Sequence, residues 1–169
     1  MTAVWATLLA WALRLSWLGR KALWIDEADS LYFAVQPLRT VLLGLCDPHP
    51  PGYYLLLKGV VQLGRSEFWL RLPSVIAATL AVPLLFRVGW WLALQLGAKR
   101  SLRVATLSAW LLAVAPLHVW YAQEARMYAL VTTLGLVAVL LALRFARRST
   151  LLHAAGYVFS AALALFIDQ

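Results

Sequence analysis

Residues 73–94 read PSVIAATLAVPLLFRVGWWLAL, twenty-two positions in which the one charged side chain is Arg87. A helix of that length extends roughly 33 Å, the thickness of a bilayer's hydrocarbon core. Four further apolar runs lie at about 3–19, 104–121, 128–143 and 151–167, each nearer the lower limit for a span. The whole chain is 63% hydrophobic and 13% charged, where soluble domains average roughly 45–50% and about 25%. These observations predict an all-α, polytopic membrane bundle of about five membrane helices and exclude a soluble globular domain.

Charge orients the bundle. Lys99, Arg100 and Arg103 lie between the second and third runs, and Arg144, Arg147 and Arg148 between the fourth and fifth, with no acid in either loop. The positive-inside rule makes both loops cytoplasmic. The long segment 20–72 and the turn 122–127 then lie outside, the N-terminus inside, and the expected location is the plasma (inner) membrane. The net charge of +8 is scattered or flanks apolar runs, so nucleic acid is not the expected partner; membrane lipid is. Nine tryptophans and six tyrosines suit several membrane–water boundaries. The single Cys46 excludes an internal disulfide. The first basic residue is Arg14, too late for the basic start of a cleavable signal, so residues 3–19 are expected to be a retained first helix.

The outer segment 20–72 is more than a loop. Residues 30–45 and 52–64 are apolar but too short to span, and Pro48, Pro50 and Pro51 separate them. Short interfacial helices are expected there, joined by a stiff extended turn at His49, with Pro51 opening the second helix. In this topology all seven carboxylates (Asp26, Glu27, Asp29, Asp47, Glu67, Glu124 and Asp168) fall on the outer side. Acids gathered at one surface of so apolar a chain point to chemistry there.

Four blocks occur in order: Trp24-Ile25-Asp26-Glu27-Ala28; Asp47-Pro48-His49-Pro50-Pro51-Gly52-Tyr53-Tyr54-Leu55-Leu56-Leu57-Lys58; Glu67-Phe68-Trp69-Leu70-Arg71-Leu72-Pro73-Ser74; and Tyr121-Ala122-Gln123-Glu124-Ala125-Arg126-Met127-Tyr128. Together they resemble the N-terminal part of the protein O-mannosyltransferase and aminoarabinose transferase-like branch of the GT-C glycosyltransferases, over about residues 24–130. The resemblance implies a polyprenyl- or dolichyl-phosphate sugar donor, transfer to a hydroxyl of a protein, glycolipid or glycan on the extracytoplasmic face, and a catalytic Asp in the first loop, here Asp26. Members of that branch continue into a C-terminal region with further helices. The rival reading is a truncated, non-catalytic relative acting as a membrane-embedded partner or scaffold subunit. A transporter would place polar residues at the helix centres, and these are apolar.

Residue types fit that transfer. Asp26 is suited to deprotonate the acceptor hydroxyl, and Glu27 to support acceptor or metal; the alternative for both is the acidic first turn of an interfacial helix. The leaving phosphate needs a cation. His49 can bind phosphate, ligate a metal or cap the turn. Tyr53 and Tyr54 can stack on sugar or prenyl or belong to an aromatic belt. Lys58 either snorkels or meets lipid phosphate. Gln123, Glu124, Arg126 and Tyr128 would form a second polar wall, with Arg126 toward phosphate and Glu124 toward acceptor or metal, unless Glu124 and Arg126 satisfy each other. No cofactor is fixed; a divalent metal ion on Asp26, Glu27 and His49 stays open. Arg14 and Arg87 are expected to snorkel, with Arg14 a minor site candidate, and His118 and His153 to be structural.

Overall fold

The structure, a computed structural model, describes residues 2–44 and 49–168; Asp47 and Pro48 of the second block, and Cys46, lie outside the described residues. Every regular element among the described residues is helical: α1 (Thr2–Leu15), α2 (Ile25–Val35), α3 (Leu38–Leu42), α4 (Gly52–Val60), α5 (Glu67–Gln95), α6 (Ser101–Val114), α7 (Pro116–Ala122), α8 (Tyr128–Arg147) and α9 (Leu151–Ile167). Two of them, α5 and α8, are long and apolar enough to cross a membrane, or three spans if the bent pair α6–α7 counts as one. The expectation of about five spans is therefore met in part. The helix α1, 14 residues, and α9, 17 residues, are apolar but short.

The hydrogen bonds fix the order of the helices. Gln95 of α5 bonds Leu143 O of α8 (3.3 Å), and Ser74 near the start of α5 bonds Arg126 O just before α8 (3.1 Å). The helices α5 and α8 therefore run parallel and side by side, and α6 packs on α5 and α1. The helix α1 lies along α6, Thr2 near Thr106 (3.4 Å) and Arg14 at Ala113 O (3.0 Å). That seam is built of small residues: Ala6, Ala10, Ala109 and Ala113 are fully buried together with Val82, which lets the backbones approach closely.

Proline places the breaks. The pyrrolidine of Pro37 forces Gln36 to an extended ψ of 159°, so the single helix expected over 30–45 is two, α2 and α3, and α2 begins earlier, at Ile25. Pro116 has no N–H for Leu112 O, and α6 and α7 meet at a 57° bend. Leu112 O takes the Ala115 N–H instead (3.4 Å), and Arg14 adds its donors at the break. This side chain is fully buried and donates to Leu112 O (3.1 Å), Ala113 O (3.0 Å) and Ala10 O (3.1 Å), with His118 Nδ1 2.7 Å away. Arg14 thus does not snorkel, since the broken helix holds carbonyls that only a long cation can reach.

A second core lies under α2–α4. Tyr53, Tyr54 and Leu57 of α4 pack with Ala34, Val41, Leu70, Met127 and Ile167. Here Gly52 matters: a Cβ would collide with the backbone carbonyl of Phe166, so only glycine lets α4 start against the end of α9.

Candidate functional site

The first turn of α2 carries Asp26 and Glu27, on a helix entered through Trp24 in extended conformation (ψ 173°). Glu27 turns inward and is buried. Both its oxygens are engaged by Arg71 of α5, Nε to Oε1 at 2.8 Å and Nη2 to Oε2 at 2.7 Å. The Ala125 N–H donates to Oε1 (2.7 Å) and the Trp24 N–H to Oε2 (3.3 Å). Arg71, 4% exposed, spends its remaining donors on Leu18 O (2.8 Å), Lys21 O (2.9 Å) and Ala22 O (3.2 Å). One two-pronged ion pair therefore ties together the chain after α1, the start of α2, the start of α5 and the 123–127 turn. With four donors on it, Glu27 has no free lone pair of good geometry left for a proton or a metal; its geometry is that of a positioning residue.

Asp26 is different. It is half-buried, and among the described residues no hydrogen bond or ion pair engages its carboxylate. Its backbone carbonyl accepts from Ser30 Oγ (2.8 Å) and from Arg126 Nη1 (3.4 Å), which places Arg126 at the same turn of α2.

The turn between α7 and α8 forms the facing wall. Gln123 donates to Leu13 O (3.2 Å), Arg14 O (3.2 Å) and Ser16 O (3.0 Å), covering the last carbonyls of α1. Glu124 and Arg126 do not pair with each other: the ion pair among the described residues is Arg71–Glu27. Glu124, 7% exposed, accepts from Trp120 Nε1 at 2.5 Å, while its Oε2 is buried without a partner. Arg126, also 7% exposed, lies over the Tyr128 ring (5.7 Å), makes a long contact to Ser30 Oγ (3.4 Å), and leaves Nε buried without a partner. The bonds of this buried guanidinium to Asp26 O and Ser30 Oγ are long, while Tyr128, Tyr54 and Asp26 attract its charge.

The other sequence candidates sit elsewhere. Lys58 donates to Ala34 O (3.1 Å) and Gln36 O (2.5 Å), closing the C-terminal end of α2 as a cation should. Tyr53 and Tyr54 are buried in the core; Tyr54 packs edge-on against Phe33, centroids 5.4 Å apart, and burial holds the Tyr53 phenol proton on far above its ordinary range. His49 lies half-buried and engaged just before α4. Tyr128 adjoins Arg126 and stacks near Tyr121 (4.8 Å). Among the described residues no three His, Cys, Asp or Glu side chains converge as a metal site; of the metal candidates, Glu27 is committed to Arg71.

A cleft of about 550 Å³ opens over the ion pair, with Glu27 and Arg71 in its lining and Trp17, Trp24, Trp120 and Glu124 around it. Lys21 enters from the rim, its Nζ 5.2 Å from the Trp120 ring centre. That volume falls in the range of small-molecule sites. Arg71, Lys21 and Trp120 were not among the sequence candidates. Arg71 stood in a quoted block, with no role assigned to it.

Burial pushes the Glu124 carboxyl up from its ordinary value of 4.5, the Trp120 hydrogen bond pulling the other way. A carboxyl raised in the fold stabilises it below the unfolded value and loses that contribution as pH climbs through the folded one. Thermal unfolding of wild type and Glu124→Gln in detergent should therefore coincide near about pH 4 and diverge toward neutrality, wild type falling behind. A pH-independent difference would show an ordinary carboxylate.

The fold and the cleft together define an all-helical protein with apolar helices fit to cross a membrane. Comparison with protein-family models, curated proteins and solved structures gives no match.

Proposed function

We propose that the chain is a membrane-embedded glycosyltransferase of the GT-C kind, or the N-terminal part of one, which moves a sugar from a polyprenyl-phosphate donor to a hydroxyl on the extracytoplasmic face. The observation that carries the reading is the pairing of an unengaged Asp26 carboxylate with a buried, incompletely satisfied Arg126 at the same turn of α2. Transfer from a lipid phosphate to an alcohol needs a base at the acceptor and a cation at the leaving group. Asp26 takes the acceptor proton, Arg126 receives the phosphate, and Glu124 faces the acceptor. Glu27 and Arg71 hold the two walls in register. In this reading α1 and α9 complete a five-span bundle in the plasma membrane, and the prenyl tail lies along the apolar helix surfaces.

The phosphate role is tested by Arg126→Lys. The compact ammonium keeps the charge but loses the planar fork, so affinity for the lipid-phosphate donor should fall by about tenfold or more, a loss of about 1.4 kcal/mol. The affinity for acceptor should change little. Lys58→Gln is the comparison, because its ammonium is occupied at the end of α2. If Arg126→Lys matches wild type while Lys58→Gln loses donor binding, the phosphate role passes to α4.

A further inference from the structure

At the end of the bundle away from Asp26, the last turns of α5 and α8 and the first turn of α9 border a second, open cavity of about 480 Å³, lined by Trp91, Arg144, Arg147, Arg148 and His153, with Arg147 and Arg148 exposed and Arg144 half-buried. Nothing in the proposed transfer uses it. Its charge is unbalanced, since residues 68–123 and 125–167 contain no Asp or Glu. Loop arginines that merely orient helices need no cavity and no fixed geometry. Here Arg147 lies over the Trp91 ring at 5.1 Å, and Gln95 ties α5 to Leu143 O of α8 (3.3 Å), bracing the two walls. On the third wall His153 Nδ1 is fixed by Thr150 Oγ1 (2.8 Å), which also caps α9. The opening dipole of that helix adds to the positive potential. The first two residues of α9, Leu151 and Leu152, are 85% and 79% exposed, apolar surface beside a cationic pocket.

We infer that this pocket binds a phosphate group, supplied by the headgroup of an anionic phospholipid whose acyl chains lie along α9. Three arginines meet the phosphate oxygens, the Trp91 ring holds one guanidinium in place, and the leucines meet the chains. Basic pockets between membrane helices favour such headgroups.

The full chain in detergent, titrated with dioleoyl phosphatidylglycerol or phosphatidylcholine and read by native mass spectrometry, tests the site. Phosphatidylglycerol should bind at least about tenfold tighter, each basic contact contributing about fivefold. The double variant Arg147→Gln/Arg148→Gln should lose most of that preference. Trp91→Leu, which changes no charge, should reduce it severalfold. Lys99→Gln/Arg100→Gln, matched in charge but outside the cavity, should retain it. No preference in wild type, or equal losses in the two charge-matched variants, overturns the site. Displacement of the lipid by millimolar inorganic phosphate would assign the pocket to a soluble phosphate and overturn the lipid as its source.

Discussion

Asp26→Asn is expected to reduce sugar transfer by about two to four orders of magnitude, the usual worth of a positioned general base, while the chain still inserts and unfolds at the wild-type temperature. The reasoning is structural as much as chemical. The Asp26 carboxylate accepts no hydrogen bond and joins no ion pair among the described residues, so an amide of the same shape removes only the charge in the first turn of α2 and its attraction for Arg126. Release of polyprenyl phosphate from a polyprenyl-phosphate sugar, compared between variant and wild type at equal membrane content, measures the loss. A variant that kept most of its activity would remove Asp26 from the mechanism.

The second large effect lies one residue further on and is of the opposite kind. Arg71→Met is expected to destabilise the chain by about 3–5 kcal/mol, because it strips two donors from a carboxylate that stays buried. Glu27→Met should cost a comparable amount by stranding the guanidinium. The double variant Glu27→Met/Arg71→Met should be markedly less destabilised than the sum of the two, since neither charge is then left alone. Thermal unfolding of the four proteins in one detergent closes the cycle. Simple additivity would mean that the 2.7 Å and 2.8 Å contacts do not hold the site together. Activity should fall in both single variants through loss of the folded site, with Arg71→Lys the mildest.

How much of this could be read beforehand depended on the residue. The apolar runs announced helices, and Pro37, Pro51 and Pro116 act where their chemistry says they must. What the runs concealed was length in space: residues 104–121 form one hydropathy peak but two helices, α6 and α7. For the site, Asp26, Glu27, Glu124 and Arg126 stand out as charges in an apolar chain, and the fold does bring all four together. Their partners did not stand out. Glu27 and Arg71 are 44 positions apart, and Glu27 and the Ala125 N–H 98 apart; no local period encodes such pairs. Arg14, expected to snorkel, is buried because of a proline on another helix, which a pattern within α1 cannot reveal. Tyr53 and Tyr54 look the same in sequence whether they stack on a ligand or fill a core, and here they fill the core.

The clamp on Glu27 also sets a timetable for synthesis. Glu27 leaves the ribosome long before Arg71, and Arg71 before Ala125, so the carboxylate must wait in a wet environment for donors that arrive in two instalments. Until Arg71 docks, the segment around Glu27 cannot close without stranding a charge, and until Ala125 docks Oε1 lacks its second donor. The turn of α2 that carries Asp26 is therefore fastened on both sides only after residue 125 has been made.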